Sequence, residues 1–128
     1  MRQIVLDTET TGIDPAEGHR IIEIGCVELM ERQLTGRNYH VYINPDREVE
    51  AEAITVHGIT NEFLSDKPRF EQIADEFMAF IDGAELVIHN APFDVGFINH
   101  EFGLLNPKLP AVAERCKILD SLVLARHM

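Results

Sequence analysis

The sequence predicts an α/β domain: a mixed five-stranded sheet, three antiparallel strands then two parallel ones, flanked by helices. Three observations carry this. Short apolar and β-branched runs with brief connections fill residues 1–43, which favours antiparallel pairing. Apolar residues at helical spacing begin only after Pro68. From there, runs of helical and strand character alternate, as strand–helix–strand crossovers do.

Each element follows from its residues. Ile4-Val5-Leu6 is too short for a helix and suits a buried strand, which Thr8, Thr10 and Thr11 prolong until Gly12 and Asp14-Pro15 break it. Arg20 to Leu29, with Ile22, Ile24 and Cys26 alternating, predicts a second strand with a bulge or close approach at Gly25. Tyr39 to Ile43 is aromatic and β-branched and predicts a third, ended by Asn44-Pro45-Asp46. Phe70, Ile73, Ala74, Phe77, Met78 and Ile81 share one face of a helix between Pro68 and Gly83. Leu86-Val87-Ile88 is a buried strand, and Phe93, Phe97, Ile98, Phe102 and Leu105 trace a helix stopped by Asn106-Pro107. Cys116 to Leu119 predicts the fifth strand, after which Asp120-Ser121 caps a last helix from Leu122. The chain stops at Met128 after roughly two turns of it. The expectation is therefore a domain cut short, its C-terminal helices missing.

Composition narrows the chemistry. The 128 residues carry 11 Lys plus Arg against 22 Asp plus Glu, a formal net charge of −11. That excludes a protein gripping nucleic acid through bulk basicity, but not an enzyme whose carboxylates hold metal ions. Cys26 and Cys116 lack CxxC spacing and sit among apolar residues, so they read as buried thiols rather than a disulfide or a zinc site. Neither a signal peptide nor a membrane span is discernible, and a soluble, cytoplasmic protein is expected.

Asp7 and Glu9 stand two apart at the end of the first strand, where side chains share a face ~6.5–7 Å apart. Two carboxylates aimed together repel unless a cation lies between them, and hard oxygen donors suit Mg²⁺ or Mn²⁺. A solvated strand end is the plainer alternative. Asp94 lies in the first turn of the helix after Ile88, where the helix dipole alone would favour an acid. If the crossover returns that strand beside the first, Asp94 joins Asp7 and Glu9, and a two-metal site becomes plausible.

Asp7-Thr8-Glu9-Thr10-Thr11-Gly12 and His89-Asn90-Ala91-Pro92-Phe93-Asp94 resemble the first two motifs of the DEDD-type 3′–5′ exonucleases. Ile21 to Gly25, Val56 to Ile59, Gly83 to Phe97 and Asp120 to Arg126 resemble the proofreading epsilon-subunit branch found in bacterial DNA polymerase III. The resemblance runs along essentially the whole chain. It implies an RNase H-like fold, with residues 1–128 as an N-terminal exonuclease domain incomplete at its C-terminus. It further implies two-metal hydrolysis that releases nucleoside 5′-monophosphates from DNA 3′ ends. Asp7, Glu9 and Asp94 match the catalytic, metal-holding carboxylates, for two Mg²⁺ or Mn²⁺ ions. Asp7, Glu9, Thr10, Glu52 and His57 match positions that border the terminal nucleotide. Read alone, Glu52 is a solvated acid and His57 a turn histidine beside Gly58. Thr8 keeps the strand end in shape, and Phe93 is either a base-stacking ring or a core residue. The implied partners are a DNA 3′ end, the polymerase catalytic subunit, a small theta-like accessory subunit and the sliding clamp. The polymerase and clamp contacts are expected in segments beyond this chain.

One departure stands out. The family carries a catalytic His and a fourth Asp in a third motif, H-x-x-x-x-D, and none follows Asp94: His100 has Leu105 at that distance, and His127 is penultimate. A weakly active or inactive fragment is thus expected. An RNA 3′ exonuclease of the RNase T or oligoribonuclease kind, a non-catalytic polymerase-docking domain and a nucleotide-binding module without turnover remain as alternatives.

Overall fold

Arg2–Thr10 forms the first strand, β1, in which buried Ile4, Leu6, Thr8 and Thr10 alternate with the more exposed Val5, Asp7 and Glu9. The computed structural model describes residues 1–122. A single 3-10 turn at Pro15–Glu17 leads to β2 (Ile21–Met30), which pairs antiparallel with β1 and with β3 (Gln33–Tyr42). Three short or medium helices follow: α1 (Ala51–His57), α2 (Asn61–Leu64) and α3 (Phe70–Ile81). β4 (Glu85–Ile88) then lies parallel to β1, with Val5 opposite Val87. α4 (Ala91–Leu105) and α5 (Val112–Arg115) cross over to β5 (Lys117–Asp120), parallel to β4. The sheet order is β3-β2-β1-β4-β5, the mixed five-stranded sheet expected from the sequence.

Its main core lies between the sheet and helices α3 and α4. Ile4, Leu6, Ile24, Leu86 and Ile88 pack there against Phe70, Phe77, Ile81, Phe97 and Phe102. Phe70, Phe77 and Phe102 are in mutual ring contact, with centroids 5.1–6.4 Å apart. A smaller cluster of Ile22, Val49, Ile59 and Leu64 seats α1 and α2. Cys26 and Cys116 are buried and free, and burial pushes the Cys26 thiol up to about 12. No helix among the described residues is long and apolar enough to cross a membrane.

Several boundaries differ from the expectation. Gly25 makes no bulge: it pairs in register with Asp7 on one side and His40 on the other, and a Cβ there would meet nothing closer than 4.0 Å. The register breaks instead at Glu9/Thr10 and between Val27 and Leu29. β3 starts six residues before Tyr39, because a two-residue hairpin at Glu31-Arg32 folds Gln33 back beside Met30. Both hairpin residues have positive φ, as a primed turn requires, yet neither is the Gly or Asn that would signal one. Residues 33–38 are exposed, so no apolar alternation marks them. α1 buries no residue and α5 has one turn, so neither shows periodicity. At the C-terminus Asp120 Oδ1 accepts the Leu122 N–H at 2.9 Å, as the expected cap does. The remaining residues of the expected last helix, and His127, lie outside the described residues.

Candidate functional site

The site is assembled at the end of β1, where two structural devices converge. The first is strand parity. Asp7 and Glu9 fall on the face opposite Leu6 and Thr8, so both carboxylates leave the core while their strand stays anchored in it. The second is the parallel pairing of β4 with β1, which delivers the start of α4 to the same end of the sheet. Asn90, in the left-handed conformation at φ 60°, turns the chain from strand to helix, and its N–H is held by Asp120 Oδ1 at 3.0 Å. Asp94 follows in the first turn and is buried.

The three acids lie within electrostatic reach of one another. The Asp94 carboxyl is raised to about 7, by burial first, then by the Asp7 charge and, less, by Glu9. The Thr8 backbone N–H and hydroxyl draw it partway back. Glu9 is also raised, by burial first and then by Asp7, while His57 opposes the rise. The Thr8 hydroxyl oxygen is buried and completes no well-formed hydrogen bond among the described residues. Carboxylates from the end of β1 and the first turn of α4 form an all-oxygen donor set, the chemistry that Mg²⁺ or Mn²⁺ prefers. Among the described residues no three His, Cys, Asp or Glu side chains close to ligating distance as they stand.

A pocket adjoins the acids. Thr10, Gly12 and Ile13 form one wall, and Glu52, Val56 and His57 of α1 form the other. Ile13 and Val56 are 80% and 84% exposed, two apolar side chains facing water at the rim. Phe93 borders the same pocket and rests its ring on Phe97, with centroids 5.1 Å apart, so it is part core and part site wall.

Of the residues expected around a terminal nucleotide, Glu9, Thr10, Glu52 and His57 line this pocket and Asp7 does not, and two of the four have further tasks. His57 is the last residue of α1, and Gly58 closes the helix in the left-handed conformation at φ 74°. The Ile59 N–H donates to His57 Nδ1 at 3.0 Å, which leaves the ring proton on Nε2 to donate to the Thr10 carbonyl at 3.2 Å. His57 is therefore a bolt between α1 and β1, not a loose turn histidine. Thr10 is buried, and its hydroxyl donates to the Gly12 carbonyl at 2.6 Å, shaping the turn. Glu52 is exposed, as an acid in the first turn of a helix can be.

Sequence reasoning passed over Glu101. Its side chain is fully buried, chelates the Arg20 guanidinium at 2.7–3.0 Å and accepts the Ile21 N–H at 2.9 Å. It lies seven residues after Asp94, on the same buried stripe of α4 as Phe97 and Ile98. An acid in an otherwise apolar stripe was the available signal. Together with Arg20 it fixes the helix that carries Asp94 to the start of β2.

A profile of the exonuclease family (RNase T) matches residues 4–128. The DNA polymerase III epsilon subunit of Escherichia coli (strain K12) is 60% identical over 99% of this chain and 54% of its own length. That of Rickettsia felis is 53% identical over 100% of this chain and 56% of its own. The chain thus spans about half the length of the curated relatives it matches. Among solved structures, E. coli exonuclease I in complex with a dA16 oligonucleotide superposes with a TM-score of 0.84 at 18% identity, covering 98% of this chain and 29% of that one. This likeness is one of fold. Exonuclease X in complex with 5′ overhanging duplex DNA gives 0.69 at 26% identity, over 98% of this chain and 63% of that one.

Proposed function

The chain belongs to the exonuclease family, and from that premise we propose that it supplies the nucleotide-binding half of a 3′–5′ proofreading exonuclease acting on DNA 3′ ends. The observation that carries this is the shared electrostatics of Asp7, Glu9 and Asp94 beside a pocket between β1 and α1. Residues 1–128 are read as one N-terminal exonuclease domain that further residues complete.

Asp7, Glu9 and Asp94 would hold the ions. Two divalent ions, Mg²⁺ or Mn²⁺, supply activation of a water and neutralisation of phosphate charge when bound. The chain's own residues do the positioning. Glu52 and His57 border the terminal nucleotide, Thr10 shapes the turn beneath it, and the apolar rim of Ile13 and Val56 with the Phe93 edge suits a base face. The acidic surface repels duplex phosphate everywhere except where bound cations reverse the local charge, so a frayed or single-stranded end is favoured. Taking the proton from water is assigned to a histidine outside these 128 residues, since no H-x-x-x-x-D follows Asp94. The polymerase III catalytic subunit, a small theta-like subunit and the sliding clamp are the partners proposed, in the cytoplasm, by likeness to the epsilon subunits.

A time course on 5′-labelled single-stranded DNA with Mg²⁺ or Mn²⁺ tests this. A version extended through the third motif should release 5′-monophosphates ~10²–10⁴-fold faster than this chain, the contribution of a positioned base. Equal rates would overturn the assignment of the base. Faster cleavage of RNA than of DNA of the same sequence would move the reading to an RNA 3′ exonuclease.

A further inference from the structure

His19 is buried, 3% exposed, and has no part in the chemistry above. It follows the turn after β1, and its Nδ1 lies 2.9 Å from Thr11 Oγ1. That oxygen already accepts the Arg20 N–H at 3.0 Å. The carboxylate beyond Nε2 can only accept, so the ring proton sits on Nε2 and Nδ1 accepts from the Thr11 hydroxyl. Nε2 is 3.1 Å from Glu50 Oε1, with a Glu17 oxygen more distant at 4.0 Å. Glu50 is the residue immediately before α1, and its own N–H donates to the Thr11 carbonyl at 3.0 Å.

One histidine therefore spans from the residue just past β1 to the residue just before α1, and these two elements are the walls of the pocket. The ring has no slack. A Cβ on Gly12 would stand 2.4–2.5 Å from three of its atoms, so only glycine lets the imidazole lie flat under the turn. A buried apolar ring would fill the same space without the cost of satisfying two nitrogens. What the imidazole adds is a strut of set length with a hydrogen bond at each end.

We propose that His19 is a positioning residue, which through Thr11 and Glu50 sets the gap between β1 and α1 and so the affinity of the pocket for a terminal nucleotide. The inference rests on reading that pocket as the nucleotide site. It asks for no contact between His19 and the substrate. It differs from the role of His57, which bolts the far end of α1.

The test is binding of thymidine 5′-monophosphate in the presence of Mg²⁺, measured by titration calorimetry on the 128-residue chain, with Mg²⁺ affinity in the absence of nucleotide as the second readout. His19→Ala and Glu50→Ala should each weaken nucleotide binding about tenfold, the worth of one hydrogen bond to a charged group. The double variant should be no weaker than either single one, and Mg²⁺ affinity should stay that of the parent throughout. The double variant matters because Glu50 also borders the pocket: additive losses would mean that Glu50 touches the nucleotide itself, and would overturn the proposal. Parent-like binding by His19→Ala would overturn it too. Should His19→Ala not fold, the Thr11 pair decides. Thr11→Ser keeps the hydroxyl that sets the ring and should bind as the parent does, whereas Thr11→Val should match the expected tenfold loss; equal affinities sink the proposal. A parent chain that does not bind the nucleotide at all overturns the pocket reading, and this inference with it.

Discussion

Asp94 keeps its proton to about pH 7 because it is buried and faces Asp7 and Glu9. An unfolded chain would release it near the ordinary value of 3.8. Between those two values the folded state binds more protons than the unfolded one, so stability without metal falls as pH rises through that window. Asp94→Asn removes the titration. Thermal melts between pH 4 and 8 in chelator should therefore fall more steeply with pH for the parent than for the variant; parallel curves would contradict the assigned shift. A metal held by these acids would also displace that proton. Mn²⁺ titrations near pH 6 should thus show proton uptake by the buffer, seen as heats that depend on the buffer's ionisation enthalpy. At pH 8 that dependence should fade. Asp7 and Glu9 were legible as a pair because strand parity is written locally, two residues apart. The tasks of His57 and Thr10 were not, because each is defined by a partner on another element.

Elements are joined to the site by polar clamps as well as by the core. The Arg20–Glu101 pair holds α4 to β2 with the carboxylate wholly buried. Removing one partner strands the other, so Arg20→Ala should cost about 3–5 kcal/mol in urea unfolding. Replacing Arg20 with Met and Glu101 with Gln, whose amide oxygen still accepts the Ile21 N–H, should recover most of that loss, because the desolvation penalty goes with the charges. A double variant as unstable as the single one would show that packing around the pair, not its charge, holds α4. At the other wall, Gly58 ends α1 at φ 74°. Gly58→Ala should cost about 1–2 kcal/mol, the left-handed penalty for a residue with a Cβ, and calorimetric melting checks it. α3 and α4 were readable from the sequence because each buries an apolar stripe on one side. α1 was not, because its Ala53 and Ile54 are only partly buried and it is set by His57, Gly58 and Glu50 at its ends.

At the scale of the molecule, the sheet order brings residues more than 80 apart in sequence to one place. If Asp7, Glu9 and Asp94 hold divalent ions only in the folded state, metal must stabilise the fold. Mg²⁺ at about 100 times its dissociation constant should add about 2.7 kcal/mol, reversed by chelator, and scanning calorimetry reads this as a raised melting temperature. No shift, together with an unchanged Asp7→Ala variant, would mean that these acids hold no ion.

The sequence by itself determined the alternation of strands and helices, the parity that turns Asp7 and Glu9 out of the core, and the acidic balance that excludes a grip on nucleic acid through bulk basicity. All of these are set by neighbours within a few positions. Tertiary structure alone decided that β4 lies beside β1 and so puts Asp94 against the acid pair. It also decided that a two-residue turn without Gly or Asn folds β3 back, and that His19, Glu101 and His57 join elements instead of facing solvent. The reason is physical. A hydrogen bond or a desolvated charge across tens of residues depends on what the whole fold places opposite it, and no window of sequence contains both partners.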